Sequence, residues 1–291
     1  MVRKILKIVG IVVAAIFFIA LAFYVKVYFS TETRIEKTYS VTPQHLTLPT
    51  DSATITYGKR LTTTKGCNDC HGSDLGGKVF IDDPALGFLV AGNLTKGQGG
   101  LPADYGIAGW VLALKHGIAR DGKPLLFMPS HEYAMLTQKD MSAIIAYCEQ
   151  VPAIDRELPE SSVGPLGRVL TDIGKLPLLP AEMIDHSRAL EADVKSEISA
   201  TYGRYLSIAC QGCHRPNMKG GEPVAPGFPQ VADISSTGKV GEWTPEQFMQ
   251  TLRTGKTPEG KILNPTEMPW TMTRAYTDVE LRALHMYLKS I

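Results

Sequence analysis

The chain has no excess of charge of either sign: 30 Lys and Arg stand against 29 Asp and Glu over 291 residues, a net charge of +1. That gives no case for nucleic acid as a partner, which calls for a basic surface. Cysteine is scarce, with five residues. They are not spaced as the framework of a small disulfide-stapled domain, since four fall in two short clusters and Cys148 stands alone. Sustained alternation of apolar and polar residues is also missing, so extended sheet is not expected. What is present is enough apolar material, 44%, to exclude a wholly disordered chain. The length suggests about two domains. The balanced charge hides an asymmetry. Residues 1–37 hold six basic and two acidic side chains, leaving the remainder mildly acidic.

Ile8 to Val25 is a run of 18 residues without a charge. As a helix it spans ~27 Å, close to the hydrocarbon core of a bilayer. Lys26 can snorkel, and Val27, Tyr28 and Phe29 extend the stretch at the far interface. Arg3, Lys4 and Lys7 precede it, so the positive-inside rule leaves the N-terminus cytoplasmic and everything after Ser30 outside. A cleaved signal peptide would use Ala20-Leu21-Ala22, but Phe23, Tyr24 and Val25 carry the apolar run past that point. The expectation is a retained single-pass anchor, residues 1–30, touching lipid through residues 4–29, followed by a juxtamembrane linker, 31–49.

The rest of the chain is one unit written twice. Tyr57-Gly58-Lys59-Arg60-Leu61 leads to Cys67-Asn68-Asp69-Cys70-His71, and Tyr202-Gly203-Arg204-Tyr205-Leu206 leads to Cys210-Gln211-Gly212-Cys213-His214. Asn93-Leu94-Thr95 matches Asp233-Ile234-Ser235, and Met128-Pro129 matches Met268-Pro269. Each copy closes with a Thr N-cap and an acid three residues on, Thr137…Asp140 and Thr277…Glu280. From His71 to Met128 is 57 residues, and from His214 to Met268 is 54. Apolar residues at helical spacing (Trp110, Val111, Leu114, Ile118; Ile144, Ile145, Cys148; Leu281, Leu284, Leu288) predict an all-α fold. Gly58 and Gly203, at matched helical positions, predict close helix crossings. The expected domains are 50–152 and 195–291. Between them lies an apolar strap, 153–194, with Pro159, Pro165, Pro177 and Pro180, expected to lie across one or both domains.

Cys-x-x-Cys-His is the attachment pattern for c-type haem. Two thiols reach the two vinyl groups, and the following His gives an imidazole nitrogen to the iron. Two such motifs at matching places in a repeat, Cys67, Cys70, His71 and Cys210, Cys213, His214, imply two covalently bound haems. Zinc would need both clusters to converge and leaves each His unexplained. A thioredoxin-like pair would need a βαβ context. Met128 and Met268 are the candidate sixth ligands, because they alone hold corresponding positions before a proline. His131, Met135 and Met272 are rivals. His116 and His285 read as ordinary helix residues, and His45 and His186 as loop or linker residues. His/Met ligation saturates the iron and argues for electron transfer rather than chemistry at the metal. Cys148 reads as a buried, inert thiol, with dimerisation through it the alternative.

These residues together resemble a membrane-anchored dihaem cytochrome c with tandem class-I-like domains, similar to cytochrome subunits of bacterial membrane dehydrogenases. The carrying residues are the two Cys-x-x-Cys-His motifs, Asn93-Leu94-Thr95, the Trp110 helix, Met128-Pro129 and their partners from Cys210 to Pro269. Two haem motifs stand where those subunits commonly have three. The resemblance implies a bacterial inner-membrane protein with periplasmic haem domains. It would pass single electrons between a membrane redox complex, such as a quinol-oxidising complex or dehydrogenase, and an oxidase or soluble carrier. It would not itself be an enzyme. The alternative class is a dihaem peroxidase or sulfur-compound oxidase, which demands a displaceable ligand at one iron.

Overall fold

The computed structural model describes residues 2–224 and 227–291. Packing divides the chain into two compact, interleaved units. One holds Met1–His45, Gly76–Ala134 and Ile154–Arg188, and the other Leu46–Leu75, Met135–Ala153 and Ala189–Ile291.

In the first unit, α1 (Val2–Ile35) continues nine residues beyond Lys26. Its residues 2–23 are all exposed, whereas Val27 and Thr31, one turn apart, are fully buried. The helix is long and apolar enough to cross a membrane. Past a loop comes a feature the sequence pattern did not announce. β1 (Lys78–Asp83) and β2 (Gly87–Ala91) form an antiparallel hairpin, and β3 (Ser162–Val163) from the strap pairs with β2. The hairpin turns on Asp83, whose carboxylate accepts from the amides of Ala85 and Leu86 at 2.8 and 2.7 Å. This small sheet sits within a mostly helical chain. The unit also contains α4 (Gly106–His116), capped by Gly117 at φ 64°, and the one-turn α5 (Ser130–Tyr133). The strap forms α7 (Pro165–Asp172) against α1 and the hairpin. Its Leu178 and Leu179 bury against Leu89, with Leu126 and Phe127 packed on them.

In the second unit, α2 (Ser52–Thr64), α3 (Cys67–His71) and α6 (Gln138–Cys148) join α8 (Ala200–Ser207), α9 (Gln211–His214), α10 (Pro245–Thr254), α11 (Trp270–Thr273) and α12 (Asp278–Leu288). Two helix crossings repeat each other. A Cβ on Gly58 would fall 2.0 Å from the Ala143 carbonyl oxygen, and one on Gly203 2.0 Å from that of Ala283. The matched glycines are therefore packing positions, as their spacing predicts. Both Thr N-caps form, Thr137 to the Asp140 amide and Thr277 to that of Glu280. Cys148 is buried, as its helical face requires.

The acids at those N3 positions do more than cap. Asp140 accepts from Tyr57 of its own repeat at 2.7 Å and from Tyr205 of the other at 2.5 Å. Glu280 accepts from Tyr202 of its own repeat at 3.3 Å and from both nitrogens of Arg60 of the other at 2.6 and 2.9 Å. Tyr57 corresponds to Tyr202, Arg60 to Tyr205 and Asp140 to Glu280, so the contact is reciprocal. Burial pushes the Glu280 carboxyl up. The Arg60 guanidinium and the Thr277 amide outweigh it and hold the group below its ordinary value.

Candidate haem-attachment sites

Each Cys-x-x-Cys-His is wound into a single helical turn, which puts the two cysteines three apart on one face. At the first site, Gly66 (φ 77°) and Gly72 (φ 82°) bracket α3. Both take a left-handed entry or exit that a side chain would strain. At the second site a 3-10 turn, Ile208–Cys210, runs directly into α9. All four motif cysteines are half-buried. Burial, with the neighbouring Cys70 thiol, pushes Cys67 up to about 12, so it is held neutral.

His214 carries the clearest donor geometry. Its side chain is buried, and Nδ1 donates to the Ala232 carbonyl at 2.8 Å. Burial holds the imidazole below its ordinary value, against the pull of that bond. A neutral ring with Nδ1–H committed keeps its lone pair on Nε2, the form an axial metal ligand needs. The Ala232 carbonyl is itself placed by an Asx turn, in which Asp233 accepts from the amide and hydroxyl of Ser235 at 2.8 and 2.7 Å. Asn93 makes the same turn with Thr95 at 2.9 and 2.8 Å. The match read between these two segments is thus a match of hydrogen bonds. The donor set of thiol pair and imidazole fits haem. Among the described residues no group of three His, Cys, Asp or Glu side chains is placed to hold a metal ion by itself.

The cytochrome c family model matches residues 55–152 and 200–291. The chain belongs to the cytochrome c family. Cytochrome c domains imply covalently bound haem c. The chain is 25% identical over 259 residues to the fructose dehydrogenase cytochrome subunit of Gluconobacter japonicus, a match covering 81% of this chain and 52% of that protein. It is 29% identical over 111 residues to the gluconate 2-dehydrogenase cytochrome c subunit of Pantoea cypripedii, covering 34% and 24%. The chain therefore spans about half the length of the first relative and about a quarter of the second.

Within this cytochrome c, the two Met-Pro pairs share one backbone geometry. Pro129 (φ −75°, ψ 52°) and Pro269 (φ −75°, ψ 60°) each form the centre of an inverse γ-turn. In each, the methionine carbonyl accepts from the amide two residues on, at 2.7 Å from Ser130 and 2.7 Å from Trp270. Upstream, Leu125 and Leu263 donate to the carbonyls of Gly117 and Gly255, again both at 2.7 Å. Met128 is further held by the strap, since the preceding Phe127 donates to Leu178 at 2.7 Å. Met268 and Cys210 pack against the same buried core, built from Leu206, Met218, Phe248, Leu252 and Leu284 among others. Cys67, Cys70 and His71 lie in one compact unit and Met128 in the other.

The rivals sit differently. Met272 rests its terminal methyl over Gly66, 3.2 Å from where a Cβ would be. Among the described residues the buried Nδ1 of His131 has no hydrogen-bond partner. Met135 is 38% exposed. His285 donates from Nε2 to the Trp243 carbonyl at 3.1 Å. Sequence reading missed the pairing of His116 with His186, Nδ1 to Nδ1 at 3.0 Å. The two are 70 residues apart in the chain, and no local pattern joins them.

Proposed function

We propose that the chain is a membrane-tethered dihaem c-type cytochrome. It would pass single electrons from a membrane dehydrogenase or quinol-oxidising complex to a terminal oxidase or other acceptor, as a subunit of a larger redox assembly. The observation that carries this reading is the duplicated ligand scaffold: two Cys-x-x-Cys-His turns, two Asx turns and two Met-Pro γ-turns in the same order. Haem, when bound, supplies an iron that takes up and gives back one electron. Cys67 with Cys70, and Cys210 with Cys213, would hold it through thioethers. His71 and His214 would be proximal ligands, and Met128 and Met268 would close the sixth position. A thioether donor raises the reduction potential relative to a second imidazole. An imidazole and a thioether from the chain would together keep small oxidants from the metal.

The names of the relatives support a dehydrogenase as donor. The apolar α1 supports a membrane location, and its basic start supports a cytoplasmic N-terminus with residues beyond Ser30 in the periplasm of a bacterium. The haem domains are proposed at 50–152 and 195–291, one haem in each. The test is spectroscopic. Purified holoprotein should contain two haems per chain by pyridine haemochrome assay. Both should be low-spin by electron paramagnetic resonance, with no change on adding peroxide. A high-spin, peroxide-reactive haem would show that the chain is an enzyme of the peroxidase type instead.

A further inference from the structure

Helix α7 has three faces, two of which are engaged by described residues of the protein. Successive residues of a helix are ~100° apart, so i, i+3, i+4 and i+7 share a side. Gly167 and Thr171 form the first face and are buried, with Gly167 so close to the hairpin that a Cβ would fall 2.2 Å from the Leu86 carbonyl oxygen. Arg168 and Asp172 form the second and grip the anchor. Arg168 pairs with Glu32 at 2.5 Å and lies over the Tyr28 ring at 4.5 Å. Asp172 accepts from Lys26 at 2.9 Å and from Ser30 at 2.8 Å. Leu166, Val169, Leu170 and Ile173 form the third. Leu166 is 44% exposed and Ile173 54%, and Val169 and Leu170 are half-buried.

The position of this open stripe says what covers it. Lys26 is the first charge after the apolar run Ile8–Val25, so it marks the edge of the hydrocarbon core. Asp172 is fixed to Lys26, and Ile173 follows it directly. Asp172 also accepts from Ser30, so the Ile173 end of the stripe is held within about one helical turn of the boundary where the anchor leaves the bilayer, and the Leu166 end, beside the Arg168–Glu32 pair, lies further out. An apolar face at that depth is buried by lipid, whereas a free apolar face in water would be an aggregation liability. Pro165 at the first helical position and Gly174 (φ 72°) just beyond the end confine the helix to the length of this stripe.

We infer that α7 is a second membrane contact, with its apolar stripe of Leu166, Val169, Leu170 and Ile173 entering the lipid headgroup region at the Ile173 end. The inference rests on α1 spanning a bilayer, and the test separates the two. Single cysteines replace exposed apolar residues in the full-length holoprotein: Val13→Cys in the anchor and Ile173→Cys in the stripe, 59% and 54% exposed respectively. Cys148 is 5% exposed and the four motif cysteines are consumed by haem, so an environment-sensitive fluorophore goes to the new thiol. The protein is reconstituted in phosphatidylcholine–phosphatidylglycerol vesicles with and without nitroxide-bearing lipid. The expected result is quenching of the Ile173 probe by about twofold or more from nitroxide near the headgroup, and quenching of Val13 by deep nitroxide. Quenching at Val13 but not at Ile173 overturns the interfacial helix and leaves the anchor standing. Absence of quenching at Val13 overturns the anchor and the inference with it. A probe at Leu170→Cys, one turn from Ile173 on the same stripe, serves the same comparison should the Ile173 variant fold poorly.

Discussion

The imidazole of His116 shows how much a single buried side chain can impose. It is completely buried, and burial, with Lys115 and His186 nearby, pushes it down to about 4. His186 donates from Nε2 to the Ala181 carbonyl at 3.1 Å. Its Nδ1 is then an acceptor, and His116 must donate to it. Both rings are neutral in this arrangement. A histidine whose folded value lies below its unfolded value contributes stability above about pH 6.5, and loses it as pH falls toward 4, because the unfolded chain binds the proton first. The expected loss is up to ~3 kcal/mol over that window. Urea midpoints measured from pH 7 to 4 should fall for the wild type and fall less for His116→Asn. At the iron, Met268→Ala should convert one of the two haems to a form with an open or water-filled sixth position, visible as a high-spin signal, and leave the other unchanged. Met272→Ala should leave both low-spin.

At the scale of elements, the two glycine crossings are the most sensitive points. The Ala143 and Ala283 carbonyls would each stand 2.0 Å from a new methyl, and neither backbone oxygen can move without shifting its helix. Gly58→Ala and Gly203→Ala should each cost about 3 kcal/mol or more, as overpacking of a fixed contact does, measured as a lowered midpoint with unchanged slope in denaturant. These crossings were legible in the sequence because the repeat set the two glycines in register. The Thr caps and the matched Met-Pro turns were legible for the same reason. The hairpin was not. Its first strand, Lys78–Asp83, is exposed at every residue except Ile81, so no buried face imposes the period-2 pattern by which strands are read. The turns α5 and α11 are four residues each, too short for any periodicity. The use of Asp140 and Glu280 across the repeats was hidden because each acid already had a local reason to be there, as a helix-start residue.

The whole chain divides along lines that sequence order does not follow. Helices α2 and α6 of the first repeat belong to the same compact unit as the entire second repeat. Arg60, with Glu280 3% exposed, is part of what closes that unit. Breaking a buried ion pair from one side strands a charge, so Arg60→Ala and Glu280→Ala should each cost about 3 kcal/mol. The double variant should cost clearly less than the sum. Amide hydrogen exchange should show α2 opening with the same free energy as α12, as members of one cooperative unit. A chain whose two repeats were independent would show two values instead.

The reciprocal contact between the repeats has the form of a twofold dimer interface in which one copy has been edited. Both acids kept their local tyrosine, but the partner from across differs: a phenol at Tyr205 and a guanidinium at Arg60. A pair of identical first repeats would set an arginine against each aspartate, and a pair of identical second repeats a tyrosine against each glutamate. Gene duplication and fusion would make such an interface symmetric at birth. The halves differ at two of these positions, Arg60 against Tyr205 and Asp140 against Glu280, so one first repeat facing one second repeat makes a single ion pair where two first repeats would make two and two second repeats none.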